Sequence, residues 1–96
     1  MAAIADSGRE RIRLDKWLWH ARVVKSRSLA ADFVAGGHVR VNRAPVTKPA
    51  HPVGAGDVLT FAMGSEVRVW RILAVGTRRG PAAEAATLYT TEPPAP

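Results

Sequence analysis

Arg11, Arg13, Lys16, Arg22, Lys25, Arg27, Arg40, Arg43 and Lys48 crowd residues 11–48, where only Asp15 and Asp32 oppose them, a local net of +7. Guanidinium and ammonium groups bind phosphate in different ways. Arg does so through bidentate forks and can also stack on bases, whereas Lys acts as a mobile point charge. Residues 49–96 carry four basic and four acidic groups, so the chain's excess charge belongs to one half of it. That half presents a field that draws polyanions such as RNA, DNA or anionic lipid. Ser26 and Ser28 add a second element. A helix starting at either serine places free N–H groups and a partial positive charge beside Lys25 and Arg27, which suits a phosphate.

Other chemistries find little support. His20, His38 and His51 are too scattered for a local metal motif, no HExxH pattern occurs, and there is no Cys to join them, so no metal ligand set and no cofactor is expected. The lack of Cys also excludes disulfides and thiol nucleophiles, and fits a reducing compartment, with the cytoplasm as the default. Neither serine has a nearby His–acid arrangement, and capping accounts for both. Gly36, Gly37, Gly54 and Gly56 form neither a phosphate-loop nor a dinucleotide pattern and read as turns. His38 opens a strand at the basic surface and is either an RNA contact or a solvated imidazole.

The elements that must position these groups are legible from periodicity. Leu14, Trp17, Leu18, Ala21 and Val24 keep helical spacing, with Asp15 in the first turn and Lys16, Trp19, His20 and Arg22 on the opposite side. A second helix, capped by Ser26 or Ser28, carries Leu29, Ala30, Phe33 and Val34 as its apolar stripe and stops at Gly36-Gly37. HVRVN alternates as a half-buried strand with Val39 and Val41 inward, and Asn42 to Pro45 reads as a turn. Pro49 and Pro52 interrupt pairing, Gly54 to Asp57 forms a tight turn, and VLTFAM is a strand joined through Gly64-Ser65 to EVRVWRILAV. The latter keeps Val67 and Val69 in alternation and loses the period near Trp70, which calls for a bulge or for burial on both faces. Pro81 to Tyr89 predicts a short helix with Pro81 at its first position. Trp17 belongs to the core, as does Trp70 unless it covers an edge. Trp19 either stacks on a nucleotide or packs with its indole N–H toward water, and packing is preferred.

With 96 residues, the chain supports one domain over residues 11–91, between a disordered leader at 1–10 and a Pro-rich tail at 92–96. No signal peptide or membrane-spanning run is visible.

Residues 11–92 resemble a known family. The runs Arg13-Leu14-Asp15-Lys16-Trp17-Leu18, Lys25-Ser26-Arg27 and Gly37-His38-Val39-Arg40-Val41-Asn42 closely resemble the S4-type RNA-binding domain, and Lys48-Pro49 and Gly54 to Leu59 extend the match. RLDKWLW, with Arg78 to Ala85 and Leu88-Tyr89, is similar to the bacterial ribosome-associated heat shock protein 15 family. The resemblance implies an α+β, S4-like (alpha-L) fold in which two N-terminal helices pack on a small bent antiparallel sheet, followed by a short C-terminal helix. It also implies a non-catalytic, stress-linked factor that binds ribosomal RNA and peptidyl-tRNA on large ribosomal subunits holding a stalled nascent chain, for recycling or quality control. The chain is expected to act as a monomer away from membranes, with room for a quality-control protein partner. The implied RNA contacts are Arg13 and Arg27, with Lys16, Arg22, Lys25 and Arg40 as neighbours; Ser26, His38, Arg43 and Lys48 complete the candidate RNA-binding set from the reading of the basic frame itself. Asp15, repelled by phosphate, is expected to orient the frame. Longer relatives carry a basic C-terminal extension, whereas this sequence ends at Pro96 in a neutral stretch, so affinity is expected to rest on the domain.

Two other classes compete with this reading. One is an RNA-modifying enzyme or accessory of the pseudouridine synthase or methyltransferase type, which the absence of a catalytic domain disfavours. The other is a generic DNA-binding or interaction module, which competition between duplex DNA and ribosomal RNA distinguishes.

Overall fold

The computed structural model describes residues 10–92; the leader, apart from Glu10, and the last four residues of the tail lie outside them. The element order is β1 (Arg11–Arg13), α1 (Leu14–His20), α2 (Arg27–Ala35), β2 (Val39–Val41), β3 (Ala44–Val46), β4 (Pro52–Gly54), β5 (Val58–Met63), β6 (Glu66–Ile72), α3 (Ala82–Ala85), a 3-10 turn (Ala86–Leu88) and β7 (Tyr89–Thr91). All pairings are antiparallel: β1 with β4, and a five-stranded sheet in the order β3-β2-β5-β6-β7. Helices on one face of an antiparallel sheet give the α+β architecture that the resemblance implies.

The core forms where the two helical stripes meet the sheet. Leu14, Trp17, Leu18 and Ala21 from the first stripe and Ala30 and Val34 from the second pack with Val39, Val41, Leu59, Phe61, Trp70 and Ile72. A line of ring contacts runs through it. Phe33 meets Phe61 edge-on at 6.4 Å, Phe61 meets Trp70 at 5.1 Å, Trp70 stacks on Tyr89 at 3.6 Å, and Tyr89 meets Trp17 at 6.5 Å. The edge-on pairs add to the stabilisation from burial.

Several expectations change. α1 ends at His20, one turn short of Val24, which is only half-buried. His20 is buried rather than outward; its Nδ1–H donates to the Val75 carbonyl at 3.0 Å. Trp17 Nε1 donates to the Ala74 carbonyl at 2.9 Å, so α1 is stitched to the segment after β6. Leu29 leaves the predicted stripe and is half-exposed. The apparent loss of period near Trp70 is a phase error. β5 and β6 pair without interruption from Val58↔Arg71 to Met63↔Glu66, and the inward set is Trp70 and Ile72. Val67 faces solvent and Val69 is half-buried, so neither a bulge nor burial on both faces occurs. Pro52 does pair, opposite Arg13 on a three-residue strand, where a missing N–H is tolerated at an edge. The turn after β2 is only Asn42-Arg43, both at positive φ, 51° and 75°, as a two-residue hairpin demands; Pro45 lies within β3. Pro81 caps α3 instead of beginning it, and Tyr89 to Thr91 form a strand at the sheet's edge.

Candidate nucleic-acid interface

The arginines nearest the start of α1 are organised by one buried carboxylate. Arg13 donates from Nε and Nη2 to the two oxygens of Asp15, both at 3.0 Å, and the Lys16 amide donates to Oδ1 at 2.8 Å. Arg27, at the first position of α2, brings Nη2 to 3.7 Å from the same Oδ1. The Asp15 side chain is 4% exposed, while those of Arg13 and Arg27 are 53% and 43% exposed. The carboxylate is therefore fixed inside and the guanidiniums present their remaining N–H groups to solvent. Burial alone would push the Asp15 carboxyl up; the Arg13 hydrogen bonds, the charges of Arg13 and Arg27 and the Lys16 amide outweigh it and hold Asp15 below the usual carboxylate range. The same contacts raise Arg13. Asp15 thus stays ionised and acts as a positioning group.

Local backbone explains why these residues meet. The pairing of β1 with β4 continues into α1, because the amides of Leu14 and Asp15 donate to the carbonyls of His51 and Pro49 at 2.8 and 3.1 Å. Those two N–H groups at the helix start are thereby used by the chain itself, and the turn carrying exposed Lys48 is pinned beside Asp15. Ser26 caps α2 by accepting from the Leu29 amide at 3.1 Å, which sets Arg27 at the first turn.

The remaining predicted residues form two further groups. Arg22, Lys25 and His38 line an open groove beside α2. Arg22 takes up a left-handed backbone at φ 63°. Its amide bonds to the Trp19 carbonyl and that of Val23 to Leu18, a Schellman ending in which glycine is the usual residue. Its guanidinium donates to the Gly80 carbonyl at 2.9 Å. α2 ends in the same motif, with Gly37 at φ 82° and His38 stacked on Phe33 at 5.3 Å. Arg40 and Arg43 belong to the β2–β3 hairpin, where Arg40 points away from Val39 and Val41, on the face opposite the helices. The sheet therefore separates Arg40 from the basic residues of the two helices. The hairpin is held by Asn42, which donates to Asp57 at 3.0 Å and accepts from the Val58 amide at 2.9 Å.

Sequence reasoning missed Arg79, whose Nε is buried without a hydrogen-bond partner among the described residues. Its only signal was the doublet Arg78-Arg79 ahead of Gly80-Pro81. Trp19 is half-buried and leans on His20 at 5.7 Å. Among the described residues there is no cluster of three or more metal-ligating side chains and no helix long and apolar enough to cross a membrane.

A family model for the S4 domain matches residues 12–59, the span from the Asp15 cluster to the start of β5. Heat shock protein 15 of Escherichia coli strain K12 is 42% identical over 78 residues, covering 81% of this chain and 58% of that protein. The heat shock protein 15 homolog of Aeromonas salmonicida is 44% identical over the same length and coverage. The chain thus spans less than two thirds of the curated relatives' length. A solved structure, the trimeric heat shock protein 15 of Vibrio cholerae, superimposes with a TM-score of 0.81 at 40% identity, covering 86% of this chain and 83% of that one.

Proposed function

Because the chain belongs to the heat shock protein 15 family of S4-domain proteins, we propose that it is a non-catalytic RNA-binding factor of the translation machinery. Its target on this reading is ribosomal RNA and tRNA on large subunits that retain a stalled nascent chain. The observation that carries the proposal is the Asp15 cluster: two half-exposed arginines fixed by one buried carboxylate, next to exposed Lys25 and the capped start of α2. Guanidiniums held in place lose less side-chain entropy when they meet phosphate, which favours binding. Arg13, Lys16, Lys25, Ser26 and Arg27 are assigned the main contact, with Lys48 beside them and Arg22 and His38 at the groove. Arg40 and Arg43 would touch RNA only where it wraps past the hairpin.

Sedimentation through extract tests the target. The protein should co-migrate with large subunits carrying peptidyl-tRNA in preference to free subunits or intact ribosomes, and release should be steeply salt-dependent. Uniform spread over all ribosomal particles would reduce the function to generic RNA binding. The trimeric relative favours self-association over the expected monomer, and sedimentation velocity of the purified chain decides between them.

A further inference from the structure

The groove beside α2 has a composition that the Asp15 cluster does not explain. Among the described residues, Arg22, Lys25 and Arg79 line it against one carboxylate, Asp32. Its apolar side is Leu29, half-exposed on the outer face of α2, with Phe33 and the His38 ring stacked on it at 5.3 Å and an 18° interplanar angle. That stack is built in. His38 follows the Schellman ending of α2, and a Cβ at Gly36 would fall 2.9 Å from its ring, so only glycine leaves the imidazole room. Behind it, Phe33 abuts Phe61, making the pair the outer end of the core's line of rings. Arg79 leaves Nε buried and unpartnered among the described residues, although such a donor ordinarily finds an acceptor. Excess positive charge and a preformed flat apolar surface suit a ligand that is anionic at one end and planar at the other.

We propose that this groove seats one unstacked nucleotide of single-stranded RNA, with its base against Leu29 and the Phe33–His38 pair and its phosphate at Lys25 and Arg79. The assignment rests on the RNA-binding reading above and extends it: the Asp15 cluster grips backbone of any shape, while the groove selects RNA with a base free to leave its stack. Arg22 holds the wall in place by binding the Gly80 carbonyl. A protein segment could also cover Leu29, but the three cations to one acid favour a phosphate.

The test is titration of the full chain with a short unstructured oligoribonucleotide and, separately, a perfect RNA duplex, following the NMR signals of the Leu29 methyls, the Arg79 Nε–H and the Arg13 and Arg27 side chains. The oligoribonucleotide should move the Leu29 and Arg79 signals saturably, and the duplex only those of Arg13 and Arg27. Leu29→Glu should weaken the oligoribonucleotide about tenfold, the worth of one stacked base, while Val67→Glu, the same charge change at an exposed valine of β6, should weaken it far less. Equal losses in the two variants, or oligoribonucleotide shifts confined to Arg13 and Arg27, would overturn the groove while leaving the RNA-binding function intact. Loss of a protein partner from Leu29→Glu with RNA affinity unchanged would also overturn it. No response anywhere to either RNA would remove both.

Discussion

Around β6 and the C-terminal turn, each arginine that forms an ion pair has a carboxylate of its own. Arg71 meets Glu92 at 2.5 Å, Arg78 meets Glu84 at 2.9 Å, and Arg68 lies 3.7 Å from Glu66. Around α1, Arg13 and Arg27 share Asp15, while Lys16, Lys25, Arg40, Arg43 and Lys48 form no ion pair among the described residues. The carboxylates differ as well. Glu84 and Glu66 are 46% and 64% exposed and can follow their partners, whereas Asp15 is 4% exposed and cannot. Arg78 pulls Glu84 below its ordinary range chiefly by hydrogen bonding at the surface; Asp15 is held down against its own burial. Apart from Arg79, one region neutralises its arginines, and the other fixes them in place with charge to spare, which is the arrangement an anion-binding face requires.

The largest effect should come from deleting charge on the two sides in turn. Arg13→Ala with Arg27→Ala should weaken structured RNA by roughly thirtyfold or more and reduce the salt slope by about two. Arg68→Ala with Arg71→Ala removes the same charge from the neutralised region and should cost no more than about threefold, from the long-range field alone. Filter binding across a salt series measures both. Equal losses would mean that net charge, rather than placement, governs affinity.

A smaller effect should follow from Asp15→Asn, which keeps shape and removes the shared charge. Its expected cost is about 1–2 kcal/mol at neutral pH in urea denaturation, discounted because both arginines are half in water. The pH dependence has a definite sign. The carboxyl is held low in the folded chain, so its contribution is full above the unfolded value of about 3.9 and is lost as pH falls through the folded value. The parent chain should therefore lose more stability than Asp15→Asn on acidification below about pH 4. Parallel acid profiles would show that Asp15 does not anchor the pair.

The contrast between the regions was half visible in the sequence. Charge counts located the basic half, and helical spacing found Leu14, Trp17, Leu18, Ala30 and Val34, because those elements are short-range and strongly periodic. The family motif singled out Arg13 and Arg27, but not that a single carboxylate joins them, since that depends on how α1 and α2 pack. Where periodicity is weak, tertiary context decided. The inward phase of β6 is set by pairing with β5, and His20 is drawn inside by a carbonyl 55 residues away. The pairing of β1 with β4 involves three residues each, with a proline, too short to leave a pattern. The groove was illegible because Arg79 meets the residues between Arg22 and His38 only through the fold, some forty residues away along the chain.

Arg22 is the arginine that joins the two regions, and it gives the smallest and sharpest test. It spends its guanidinium on the Gly80 carbonyl and holds a backbone conformation that glycine adopts freely. Arg22→Gly and Arg22→Ala both remove the cation and the bond to Gly80, but only the alanine keeps the strained φ. Relief of that strain in the glycine variant is offset by its looser unfolded chain and by the lost hydrogen bond, so its stability should stay within about 0.5 kcal/mol of the parent. The alanine variant should fall below it by about 1 kcal/mol. If Arg22 is there to bind, the two variants should weaken RNA equally despite that difference, with amide exchange at Ala85 and Leu88 unchanged. If it mainly ties the C-terminal turn to α1, exchange at those amides should accelerate in both, and RNA affinity should follow the loosened wall of the groove rather than the lost charge.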